Sequence, residues 1–76
     1  MKYFSFPTPN GGTALLAQDA ILAIAEDKGV LAMGGSVIML RNNETVTGTP
    51  GRDAWAKAIE KAANDESSKA VFEVTP

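Results

Sequence analysis

Nine carboxylates hold most of the acid/base potential of this 76-residue chain, because it contains no His and no Cys. A general acid and base need two carboxyls at a set separation across a cleft. No spacing here brings such a pair together. Asp27 falls in a polar turn, Asp53 near a helix start and Glu60 on a solvated helix face. A structural zinc site lacks its usual ligands, and no disulfide or thiolate can form. Catalysis by carboxylates, Lys69 or Ser/Thr hydroxyls alone would demand a formed pocket and a positioned base. That is the weakest reading of so short a chain. The expectation is a non-enzymatic protein with no cofactor and no metal.

Binding chemistry is better represented. Gly48-Thr49-Pro50-Gly51-Arg52 precedes a helical pattern. Helix N-termini attract anions, and an arginine adds charge-assisted hydrogen bonds. Thr49, Gly51 and Arg52 are therefore the candidate anion-binding residues. The same Thr-Pro-Gly also makes an ordinary helix start, and Asp53 offsets part of the local charge. Gly34-Gly35-Ser36 lacks the lysine and spacing of a phosphate loop and reads as a turn or bulge. Trp55, the single tryptophan, fits either core packing or a partner-facing anchor. Tyr3, Phe4 and Phe6 resemble a stacking platform for single-stranded nucleic acid. Few basic residues accompany them, so core packing is the stronger reading for Phe4 and Phe6. The candidate interface residues are Tyr3, Phe4, Trp55, Val71 and Phe72.

The elements that must position these residues follow from periodicity. Lys2 to Phe6 alternates, with Phe4 and Phe6 on one face, as in a half-buried strand. Pro7 to Gly12 is a dense turn cluster. Thr13 to Asp27 has an alanine content that favours a helix. Its apolar residues do not fall on one helical face, and Gln18-Asp19 splits the run. It reads as two short strands, Ala14–Ala17 and Ala20–Glu26, joined by a polar kink, with a helix as the rival. Glu26-Asp27-Lys28-Gly29 reads as a turn and Val30 to Met33 as an apolar run. Ser36 to Arg41 is the strongest strand, apolar on both faces and so expected to be covered on both. Arg41-Asn42-Asn43-Glu44 reads as a hairpin turn, because Asn tolerates positive φ. Thr45 to Thr47 is the return strand.

A helix over about 53–65 follows, capped by Thr49 or Asp53. Trp55, Ala58, Ile59 and Ala62 form one apolar stripe. Asp53 and Lys57 form an i, i+4 pair of favourable polarity. Ala70 to Val74 is the last strand, with Ala70, Phe72 and Val74 on one face. Strands before a helix predict an α+β fold. The expected form is one domain, a small antiparallel sheet or half-open barrel of 4–6 short strands. The helix would plug an open end or cover a face.

A chain of 76 residues with 45% apolar and 21% charged residues is an ordinary folded domain near the lower edge of independent stability. Such domains recover stability from disulfides, metals or association. The first two lack their residues here, which leaves a homo-oligomer. The first and last strands are natural sheet edges and the expected seam. A net charge of −2 and no basic block leave nucleic acid an improbable partner. The aromatic start does not read as a signal peptide, and the run from Ala14 to Ala25 is too short to span a bilayer. The expected location is cytoplasm or virion, with no membrane partner.

The order of elements resembles that of small uncharacterised proteins of marine bacteriophages and marine metagenomes. The matching segments are Lys2-Tyr3-Phe4-Ser5-Phe6, Gln18 to Ile24, Val37–Thr47, Trp55–Ala62 and Ala70–Val74. They contain no diagnostic motif and carry over no catalytic residue. The resemblance implies a small barrel, Sm-like or SH3-like, and a viral structural or accessory role. Two functions are expected on these grounds. One is a self-associating structural module of a virion or other assembly, with protein partners. The other is an Sm-like RNA-binding ring.

Overall fold

A computed structural model describes residues 1–26 and 35–75. The turn at Asp27-Lys28-Gly29, the apolar run Val30 to Met33 and Gly34 lie outside the described residues. The fold is α+β. Among the described residues, six strands form two three-stranded sheets around one helix. The strands are β1 (Tyr3–Pro7), β2 (Thr13–Ala17), β3 (Ile21–Glu26), β4 (Ser36–Leu40), β5 (Thr45–Gly48) and β6 (Val71–Glu73). The helix, α1, is Arg52–Asn64. The first sheet has order β2-β1-β6 and the second β3-β4-β5. They do not close into a barrel.

Thr13 to Glu26 is two strands, as its split pattern indicates. Between them Gln18–Ala20 makes one 3-10 turn, which carries the chain from the first sheet to the second. Helix propensity from the alanines loses to burial. Leu16 and Ala14 face inward from β2, and Ile21 and Ile24 pack on the core from β3. Arg41 braces this corner: its backbone N–H bonds the Ala20 carbonyl at 3.0 Å and its Nε the Asp19 carbonyl at 2.7 Å.

The turns follow their residues. The Asn10 carboxamide oxygen accepts from the Gly12 N–H at 3.1 Å and from the Thr8 hydroxyl, which tightens the β1–β2 connection. Asn43 takes the positive φ of the β4–β5 hairpin, at 70°. The Asn42 side chain accepts from the Glu44 N–H at 3.0 Å.

The helix buries Trp55, Ala58 and Ala62, with Ile59 packed beside them. It packs against β3 of the second sheet and β6 of the first, and so spans the space between the sheets. Trp55 meets Phe6 edge-on, with ring centroids 5.0 Å apart, and Phe4 at 5.7 Å. Such pairs add about 0.5–1.5 kcal/mol each beyond their buried area. Lys2 Nζ donates to the Ala62 carbonyl and, at 3.3 Å, to the Asp65 carbonyl, placing a cation on the last carbonyls of the helix.

Five expectations need correction. β6 pairs with β1 in parallel, so the first sheet is mixed and β1 is its centre rather than an edge. Phe4 and Phe6 are the reason: a strand buried this deeply needs ladder partners on both sides. Within the described residues β4 is fully covered only on the face of Ser36, Ile38 and Leu40; on the other, Val37 is half-buried and Met39 is 38% exposed. The N-cap of α1 is Gly51, with no side-chain cap bond. Thr49 instead turns its hydroxyl to the Pro7 carbonyl at 3.3 Å, and Asp53 sits within the first turn. Asp53 and Lys57 form no ion pair. Ala70 lies before β6 and is exposed, so the buried residues of the last strand segment are Phe72 and Val74.

Candidate functional site

The residues expected at an interface divide into two groups. Phe4, Trp55 and Phe72 are at most 2% exposed and make the core, so they offer a partner no surface. Their aromatic character signalled burial as much as binding, and strand alternation sided with burial. Val71 is exposed and Tyr3 is half-buried. Antiparallel and parallel registers place them side by side, Ala17–Tyr3–Val71, across the outer face of the first sheet. Leu15, 56% exposed, stands in the next row with Ser5 and Glu73.

Sequence pointed to the outer face of the second sheet only through the expectation that Ser36 to Arg41 is covered on both faces. Its registers align Ala23 with Met39 and Thr45, and Ala25 with Val37 and Thr47. None of these six carries a charge. The β3 register shifts between Ile21 and Ala23, leaving Leu22 in the irregularity and 59% exposed. The available signal was the alternation Val37/Met39 against Ile38/Leu40, but an apolar strand looks the same whether one face or two are covered.

The candidate anion residues are not brought together. Thr49 is held to Pro7, Gly51 caps the helix through its backbone, and Arg52 projects as an exposed side chain. Gly51 accepts the Trp55 N–H through its carbonyl at 3.2 Å. Ser36, from the glycine-serine cluster, is fully buried and donates to the Pro50 carbonyl at 2.8 Å, a structural bond.

A second feature that sequence reading missed lies between α1 and β6. Two adjoining recesses of about 530 and 480 Å³ share Ala58, Lys61, Glu73 and Thr75. Lys57 lines one and Lys69 the other. The Lys69 ammonium lies 5.2 Å from the Phe72 ring centroid. These lysines are spread over the sequence as 57, 61 and 69, so no basic run announces them. At the end of the helix Asp65 accepts hydrogen bonds from Ser67, side chain and backbone (N–H to Oδ1, 2.7 Å), and faces Lys2 and Lys69. Together these hold its carboxyl below the ordinary value of 3.8.

Among the described residues, no group of three or more acidic side chains is placed to hold a metal, and no helix is long and apolar enough to cross a membrane. Compared with known proteins, the chain has no significant match to a protein-family model, a curated protein or a solved structure.

Proposed function

We propose that this chain is a non-enzymatic, self-associating structural or interaction module. The supporting observation is the outer face of the second sheet: Ala, Val, Met and Thr on three adjacent strands, without a charge. Uncharged, partly apolar sheet faces pack on one another at about 10 Å with interdigitated side chains. A second copy presents the same face, so the contact is self-complementary about a two-fold axis. A net charge of −2 opposes this pairing little. The small core of a 76-residue chain gives association a stabilising role. The resemblance in element order to small marine phage proteins supports a virion or assembly component as the setting.

Size-exclusion chromatography with light scattering tests the proposal. A concentration-dependent dimer or larger species is expected, and Met39→Lys should return it to the monomer while changing folding stability by about 0.5 kcal/mol or less. A wild-type chain that stays monomeric at high concentration overturns it. The RNA-binding ring draws less support, because two of the three rings on which bases would stack, Phe4 and Phe6, are enclosed in the core and only Tyr3 remains.

A further inference from the structure

Among the described residues, the first sheet ends at β6, whose outer edge has no strand paired to it. The Tyr3 N–H bonds the Ala70 carbonyl at 2.7 Å and the Val74 N–H bonds the Ser5 carbonyl at 2.8 Å. In a parallel ladder alternate residues serve opposite sides. Residues 70, 72 and 74 therefore face β1, and the N–H and C=O groups of Val71 and Glu73 face away from it. No described strand takes them up. Alongside this edge α1 leaves the recesses described above, with Ala58 in the wall of both. A strand added to β6 would sit about 4.8 Å further out, against the helix.

The charge of this slot selects its occupant. Lys57 and Lys61, one helical turn apart, line it from α1, and Lys69 lines its far end. The ammonium groups of Lys57 and Lys61 have no hydrogen-bond or ion-pair partner among the described residues. Asp53 and Glu73 are the carboxylates in the same lining, so the ammonium groups outnumber them. The N-terminus of α1 adds partial positive charge at the Gly51 end.

We propose that the β6 edge beside α1 is a docking groove for an extended, acidic segment of another protein. The segment adds to the first sheet as a fourth strand, bonding Val71 and Glu73 through its backbone. Its alternate carboxylates lie towards Lys57, Lys61 and Lys69. Main-chain hydrogen bonds supply affinity and alternate side chains supply selectivity, as in other strand additions. This surface is distinct from the outer face of the second sheet and does not rest on self-association.

Fluorescence anisotropy with a labelled peptide alternating Glu and Val tests the groove, using the Met39→Lys chain beside the wild type. Binding at low salt is expected, falling about tenfold in the Lys57→Glu/Lys61→Glu variant and again in high salt. Both positions are exposed, and circular dichroism checks that the variant is folded. A Gln/Val peptide and a peptide N-methylated at alternate amides should bind much more weakly. Equal binding of the Glu and Gln peptides, indifference to N-methylation, absence of binding, or preference for an oligouridylate each overturns the proposal. Displacement of the peptide by rising concentration of the chain itself overturns it too, since a second copy would then fill the edge. A monomeric wild type that binds the peptide removes the self-association reading alone.

Discussion

The two sheets have three strands each but meet the helix with different chemistry. The first presents rings: Phe6 and Phe4 meet Trp55 at centroid separations of 5.0 and 5.7 Å, and Phe72 lies against Phe4 at 6.4 Å. The second presents aliphatic side chains, Ile38 and Leu40 with Ile21, Ile24 and Val46 beside them. Outside, the order reverses. The first sheet mixes Tyr3, Leu15 and Val71 with Ser5 and Glu73, whereas the second carries no charge across its paired positions. The large inward side chains of the first sheet anchor α1. The second sheet is held by smaller groups, and its paired outer positions Ala23, Ala25, Val37, Met39, Thr45 and Thr47 are uncharged.

Truncation should separate the two sheets most strongly. Trp55→Ala is expected to cost about 3–5 kcal/mol, since it removes a fully buried ring packed edge-on against both Phe4 and Phe6. Against a total stability of about 5 kcal/mol for so small a chain, that leaves it largely unfolded. Ile38→Ala, at the centre of the second sheet, costs about 2–5 kcal/mol by the same mechanism. Urea titrations rank them, and a costlier Ile38→Ala would place the main anchor in the second sheet. Trp55 Nε1 is buried without an acceptor among the described residues, which offsets part of what the ring contributes.

Next come two glycines. A Cβ on Gly35 would lie 2.6 Å from the Gly48 carbonyl oxygen, and one on Gly48 would lie 2.9 Å from the Phe6 ring. Gly35→Ala therefore strains the second sheet internally, and Gly48→Ala strains its contact with the first. Each should cost about 1–3 kcal/mol. Gly35→Ala should be the costlier, because a backbone oxygen cannot swing aside as a ring can. Thermal melts check the order, and an unchanged melt for Gly35→Ala would refute the close approach.

The smallest effect is electrostatic. Asp65 is half-buried at the end of the helix, and Ser67, then Lys2 and Lys69, keep its carboxyl below 3.8. A lowered folded-state value stabilises the fold fully above the unfolded value and loses that contribution as pH falls through the folded one. Asp65→Asn should therefore differ from wild type near neutrality and converge with it in acid below the ordinary carboxylate range. A difference constant over that window would show that Asp65 acts as a neutral turn residue only. Lys2 and Lys69 both lie over Phe72, so this pair also reports how the first sheet meets the end of the helix.

Much of the local structure was legible in the residues. Alternation placed Phe4 and Phe6 inside, Gln18-Asp19 marked the break between β2 and β3, Asn42-Asn43 marked the hairpin, and the Trp55–Ala62 stripe marked the buried face of α1. Each rests on short-range periodicity or on the φ preference of one residue. Less of the candidate surfaces was legible. Aromatic residues named for an interface went to the core, because alternation says which residues share a face and not which face is enclosed.

Sequence alone determined the type of most elements, with a helix left as the rival over residues 13–27, the inward residues of β1 and α1, and the absence of imidazole and thiol chemistry, since these depend on neighbours a few positions apart. Only tertiary structure decided the rest. It set β6 parallel to β1, left Met39 on the outer face of the second sheet exposed, and gathered Lys57, Lys61 and Lys69 around one groove. Those outcomes depend on which edges and faces meet across the whole chain, where pairing and burial compete globally. No local pattern of residues encodes the winner.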